Sequence, residues 1–296
     1  MPKLPFMQVD AFTDRPLAGN PCAIVFDTDA LDDATMQAIA KEQNLSETAF
    51  VRRSGTCDFG VRYFTPGSEI PLAGHPTIAT SFALVDSGRF GLAGDRTPLK
   101  LELKVGPIDV DLVAAGGAVR RVVMTQLKPK FLRTYPAAEV LEVFGLKTSD
   151  ALGDWPMQTV STGTPQLMVP LSGHDALRRA TFDIEAFAAL CARADFFSVH
   201  LFCPHGVTRE GRTFARHFAP PPGAFEDPFT GSATGGMAAY LWKHGLLDAP
   251  TFVAEQGHWM ARPGKAYVEV LGPREDIEAV RVGGAAVTVV RGEISF

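Results

Sequence analysis

Cysteine is scarce in this chain: four residues in 296, Cys22, Cys57, Cys191 and Cys203, with no Cys-x-x-Cys pair among them. Sparse, unpaired thiols fit a reducing compartment and argue against a disulfide framework. Charge of either sign is modest, at 21% of residues, and 28 basic against 33 acidic side chains leave a net charge of −5. No dense basic run is present, which argues against a nucleic-acid partner. Every uncharged apolar run falls short of the roughly 18 residues that suggest a membrane span. The N-terminus meets Asp10 before an apolar stretch of secretory length develops. Residues 231–236 are Gly-rich but lack both the Lys-Ser/Thr of a P-loop and the Gly-x-Gly-x-x-Gly spacing, so no cofactor is implied. The expectation is a soluble, cytoplasmic protein. At 46% apolar residues its composition is that of a globular chain, and its length suggests about two domains.

What the sequence does contain is an internal repeat. Arg62-Tyr63-Phe64-Thr65-Pro66 recurs as Arg216-His217-Phe218-Ala219-Pro220, and Glu69, Gly74 and Thr77 are echoed by Glu226, Gly231 and Thr234. The offset grows by three residues, an insertion assigned to the Pro-rich loop at residues 220–223. A period near half the chain is too long for a solenoid. It implies one duplicated domain, residues 1–118 and 119–296, the two halves facing each other about an approximate two-fold axis. The boundary is placed near residues 116–121, with the last strand allowed to cross back to the first half.

Each copy runs into an uncharged helix candidate, residues 76–85 and 232–242, stopped by Gly88 and Gly245. A helix apolar on all sides must be enclosed by protein. Short alternating segments around them read as strands: 23–26, 59–64, 99–103 and 108–112, then 167–169, 197–202, 212–217, 266–270 and 287–290. Amphipathic helices at 32–43, with Met36, Ile39 and Ala40 inward, and at 184–193 pack outside. The expected fold class is α/β (α+β): two pseudo-symmetric halves, each a mostly antiparallel curled sheet around a central buried helix.

The start of each buried helix is a candidate site. A first helical turn leaves backbone N–H groups without partners and carries partial positive charge. Gly74-His75-Pro76-Thr77 and Gly231-Ser232-Ala233-Thr234 would let a carboxylate approach that turn closely. The plainer alternative is ordinary helix capping, which the occurrence of the motif at matched repeat positions disfavours. Glu47 lies in Leu45-Ser46-Glu47-Thr48-Ala49-Phe50-Val51. As a strand with Leu45, Ala49 and Val51 inward, this segment carries Glu47 into the core, where burial would suit it to acid/base work. With the opposite face inward, Glu47 is solvated. Glu226-Asp227-Pro228 precedes the second helix. Its acids either favour the helix dipole, or Asp227 is protonated or hydrogen-bonded and orients His75 or a substrate group. His200-x-x-Cys203-x-His205 invites a metal reading, but strand geometry diverges the side chains, a fourth ligand at zinc spacing is lacking, and no metal is expected. His174, His205, His244 and His258 are read as caps or surface groups.

Taken together, Asp10-Ala11-Phe12-Thr13, Gly19-Asn20-Pro21, Ser46-Glu47-Thr48-Ala49-Phe50, Phe64-Thr65-Pro66, Gly74-His75-Pro76-Thr77, residues 226–233 and Glu255-Gln256-Gly257 with Arg262-Pro263 resemble the PhzF-like proteins of phenazine biosynthesis. The resemblance implies the diaminopimelate-epimerase-like fold, with an active site between the halves, and a cofactor-free, usually homodimeric isomerase. The activity it implies moves a proton between carbons of a hydroxylated dihydroanthranilate ring. Carried over, Glu47 is the acid/base, while His75, Asp227 and Ser232 complete the catalytic polar network. Asn20, Ser46, Gly74 and Gly231 bind substrate, a small carboxylate. Epimerases of this fold use a cysteine at each helix start. Here those positions carry His75 and Ser232, which disfavours two-base racemisation. The alternatives kept open are a racemase, epimerase or dehydratase of a hydroxylated amino acid, a non-catalytic carboxylate-metabolite binding protein, and an interaction protein with an empty cleft.

Overall fold

The computed structural model describes residues 1–220 and 226–296. Most of the loop to which the repeat insertion was assigned, residues 220–223, therefore lies outside the described residues. The chain forms two compact units, Met1–Thr125 together with Gly283–Phe296, and Gln126–Val282.

The first unit contains β1 (Lys3–Ala11), β2 (Asn20–Val25), α1 (Asp33–Gln43), β3 (Thr48–Arg52), β4 (Phe59–Phe64), β5 (Glu69–Ile70), α2 (Gly74–Asp86), β6 (Arg96–Leu103), β7 (Gly106–Ala115) and all but the last residue of β8 (Ala118–Gln126). The second contains β9 (Lys130–Tyr135), α3 (Ala137–Val143), β10 (Met157–Ser161), β11 (Pro165–Pro170), α4 (His174–Arg179), α5 (Ile184–Cys191), β12 (Ser198–Cys203), β13 (Thr213–Phe218), β14 (Glu226–Asp227), α6 (Gly231–Lys243), β15 (Thr251–Gln256), β16 (Gly264–Leu271) and most of β17 (Ala279–Gly284). The chain then returns to the first unit as β18 (Ala286–Ser295), which pairs antiparallel with β1.

Pairing is duplicated strand for strand. In the first unit β1 and β2 are antiparallel, β2 and β3 parallel, β3 and β4 antiparallel, β4 and β6 parallel, and β6 and β7 antiparallel. In the second, β10, β11, β12, β13, β15 and β16 repeat that sequence of senses. Each parallel step requires a crossover, supplied by α1 or by α4 and α5, and then by α2 or α6. Helices α2 and α6 have 13 residues each, ten of them buried. In its own unit, α2 packs against β1, β2, β3, β7 and β18, and α6 against β10, β11 and β16. These are the enclosed helices that the uncharged segments predict.

The repeat also reproduces its side-chain chemistry. Arg62 Nε donates to Glu69 Oε1 at 2.8 Å and Arg216 Nε to Glu226 Oε1 at 2.8 Å, each bond joining a strand to the two-residue strand before the helix. The Thr77 hydroxyl donates to the Ala73 carbonyl, and that of Thr234 to the Thr230 carbonyl. Outside the sheets, α1 is capped by Asp32, which accepts from the Thr35 amide, and buries Met36, Ile39 and Ala40 as its pattern predicts. Asp183 caps α5 in the same way.

Candidate active site

Glu47 is delivered by a helix end. Asn44 closes α1 in the left-handed conformation (φ 50°), and the chain turns through residues 45–47 into β3. Glu47 thus stands just ahead of the strand rather than within it. The two-face alternation does not decide its exposure, because Thr48, Ala49, Phe50 and Val51 are all buried. The Glu47 side chain is 18% exposed, and its Oε2 lies 3.3 Å from Nε2 of His75. The two atoms approach without the alignment of a hydrogen bond. Cys22, fully buried, lies close enough for the Glu47 charge to help burial push its thiol upward.

His75 is the second residue of α2 and is 4% exposed. Burial lowers its pKa from 6.5 to about 3, against a smaller opposing effect of a hydrogen bond to Pro21. The ring is therefore neutral at physiological pH. Asn20 Nδ2 lies 3.1 Å from Nδ1 of His75. Pro21 has no N–H, so its carbonyl accepts from the ring, and with Nε2 making no hydrogen bond the donor is Nδ1. Gly19 makes the approach feasible: at φ +57° a Cβ there would stand 2.1 Å from the Ala11 carbonyl oxygen. Ser46 is half-buried beside Glu47 in sequence, and Gly74 opens α2.

In the second unit, the two adjacent acids have separate partners. Glu226 is paired with Arg216, whereas Asp227 accepts a hydrogen bond from the Thr230 hydroxyl. Gln256 ties the segment down, donating to the Asp227 carbonyl at 2.6 Å and accepting from the Thr230 amide at 3.0 Å. Gly231 and Ser232 open α6. Gln126 donates to the Gly231 carbonyl at 2.9 Å, and Gln166 donates to Ser232 Oγ at 3.1 Å. Among the described residues, neither helix start has an N-cap side chain bonded to its first turn. Capping by Ala73 or Thr230 therefore does not occupy those turns.

Sequence reasoning missed Gln126 and Gln166, and it gave Gln256 no role although quoting it in a motif. The repeat aligns Gly163-Thr164-Pro165-Gln166 with Gly19-Asn20-Pro21-Cys22, which sets Gln166 against Cys22, a residue given no site role. His200 and His217, which drew a metal reading and a repeat match respectively, prove to be buried neighbours with Nδ1 atoms 3.3 Å apart. His174 Nε2 contacts the His205 carbonyl at 2.8 Å.

A family model described as phenazine biosynthesis-like protein matches residues 9–292. The trans-2,3-dihydro-3-hydroxyanthranilate isomerase of Pseudomonas fluorescens is 35% identical over 294 residues, covering 98% of each chain. A Bacillus anthracis phenazine biosynthesis protein of the PhzF family superposes with a TM-score of 0.89 at 30% identity over the whole of both chains. A hydroxyproline epimerase from Agrobacterium vitis superposes with a TM-score of 0.71 at 12% identity, covering 99% of this chain and 92% of that one. That last likeness carries the fold alone, of the diaminopimelate-epimerase type. With a family match across nearly its full length and a named isomerase among its relatives, this chain belongs to the PhzF family of phenazine biosynthesis-like proteins and is an isomerase.

Proposed function

We propose that this isomerase moves a proton between carbons of a small, hydroxylated cyclic carboxylate of the dihydrohydroxyanthranilate class, with Glu47 as the acid/base. The observation carrying this reading is the shielded Glu47 carboxylate 3.3 Å from a neutral, buried His75. The carboxylate takes a proton from an sp3 carbon, leaving an enol or enolate, and returns it to another carbon on the same face. One C–H bond breaks and one forms, so electrons balance without a redox group, and the reading includes cofactor independence. His75 steers the carboxylate, Asn20 holds the ring, and Asn20, Ser46 and Gly74 are proposed substrate contacts. In the second unit, Asp227 and Ser232 are proposed to complete the polar network, with the Gly231 turn receiving the carboxylate. A cytoplasmic homodimer is part of the same reading.

The duplicated register supports one base rather than two. Phe64 pairs with Thr48 and Thr48 with Ala23, while Phe218 pairs with Val199 and Val199 with Leu167. Since Phe64 and Phe218 are repeat equivalents, one residue back from each strand makes Ser198 the counterpart of Glu47. His75 likewise corresponds to Ser232. The second copy thus has hydroxyls where the first has a carboxylate and an imidazole, which does not favour a racemase using two bases.

Glu47→Gln tests the assignment. With trans-2,3-dihydro-3-hydroxyanthranilate in deuterated water, turnover is expected to fall by about 10²- to 10⁴-fold while the protein stays folded. Unchanged turnover would remove Glu47 from its role.

A further inference from the structure

We propose that Gln166 is a positioning residue: its amide occupies one lone pair of Ser232 Oγ and turns the hydroxyl proton toward the substrate, where it serves an oxygen acceptor. The inference rests on the reading of Ser232 as a substrate contact and deepens it. Gln166 lies on β11 and is 2% exposed, and its Nε2 donates to Ser232 Oγ at 3.1 Å. A serine hydroxyl has one proton and two lone pairs. With one lone pair taken by the amide, the proton is left to point elsewhere. The neighbouring Thr162 hydroxyl does not compete for Oγ, because it donates to Gln126 Oε1 at 2.6 Å. Gln126 in turn holds the Gly231 carbonyl, so the first turn of α6 is bracketed by Gln126, Thr162 and Gln166.

Burying this amide is costly unless it does something. Among the described residues, Gln166 Oε1 accepts no hydrogen bond, and neither does the buried Ser198 hydroxyl find a partner on the adjacent strand. A leucine would fill the same place without an orphaned acceptor, whose desolvation costs about 1–3 kcal/mol. The amide is retained where its one made bond is to Ser232. A donor aimed from Ser232 suits a carboxylate or enolate oxygen.

The decisive variant is Gln166→Glu, which keeps length and volume but sets an acceptor against Oγ and draws the hydroxyl proton toward itself. With trans-2,3-dihydro-3-hydroxyanthranilate near neutral pH, KM is expected to rise roughly tenfold or more, with kcat changed less than about threefold and the melting temperature retained. As pH falls, the introduced carboxyl protonates and donates to Oγ again. The ratio of variant to parent KM, taken at each pH, is then expected to return toward one. In a Ser232→Ala background, Gln166→Ala is expected to add less than about a twofold effect. An unchanged KM, a KM ratio independent of pH, or an undiminished Gln166 effect in that background overturns the inference. Should Ser232→Ala raise KM while the Gln166 variants do not, the inference alone fails. Should Ser232→Ala leave KM untouched, or the parent neither bind nor turn over this substrate, the functional reading fails and takes the inference with it.

Discussion

At the scale of single residues, the chemistry depends on a histidine that does not act as a cation. Burial holds His75 at about 3, so its ring is neutral through the range in which enzymes are ordinarily assayed. His75→Asn is expected to lower kcat by about 10- to 100-fold without removing any ionisation near pH 6.5 from the pH–rate profile. Loss of a limb in that range from the parent profile would show that His75 titrates during turnover. The identity of this residue was legible in the sequence, because a glycine turn at a helix start advertises itself twice. The setting of Glu47 was not. Helices α1 and α2 both pack against β3, so both faces of the strand are covered and period-two alternation is erased. The strand pattern offered Glu47 as either buried or solvated, and the resemblance to PhzF proteins chose between the two. Gln166 was silent for another reason: a neutral amide in a short strand has no distinctive pattern, and its role depends on a partner 66 positions away.

At the scale of elements, each central helix announced itself by lacking charge, and each repeat strand by its Arg-aromatic-Phe signature. What the repeat could not convey is how the start of α6 is held. A Cβ on Gly235 would lie 1.9 Å from Gln126 Oε1, the amide that grips the Gly231 carbonyl. Gly235→Ala is expected to destabilise the protein by about 1–3 kcal/mol in urea denaturation, despite the higher helix propensity of alanine. Combining it with Gln126→Ala should recover part of that loss, since the shortened side chain vacates the collision. A stabilised single variant would mean that Gln126 moves aside freely. Strands β1, β5, β8, β9, β10, β14, β15 and β17 and helices α3 and α4 escaped the sequence reading. Strand β9, for example, exposes or half-exposes five of its six residues, which leaves little alternation to detect.

For the molecule as a whole, three buried imidazoles make stability sensitive to acid. His75 and His217 are each lowered to about 3, and His200 also lies below its ordinary value, by burial and then by the neighbouring His217. The Nδ1 contact of His200 with His217 needs one proton, so the two neutral rings carry opposite tautomers. In the unfolded chain these rings gain protons below about pH 6.5, whereas the folded protein withholds them until far lower pH. Their contribution is therefore complete above pH 6.5 and declines as pH falls toward 3, at up to about 1.4 kcal/mol per pH unit for each ring. Glu69, held near 2 chiefly by Arg62, adds to the loss only below its ordinary value of 4.5. Urea unfolding between pH 6.5 and 4.5 isolates the histidines, and His217→Gln is expected to reduce the slope there by about one proton. An unchanged slope would place His217 in water in the native state.

The pairing of β18 with β1 has a consequence for synthesis. Lys3 stands opposite Ser295, so β1 waits for a strand made much later. The second unit is one uninterrupted span and can assemble while the tail is still inside the ribosome. The first unit, despite emerging earlier, must remain an open-edged intermediate until β18 has emerged.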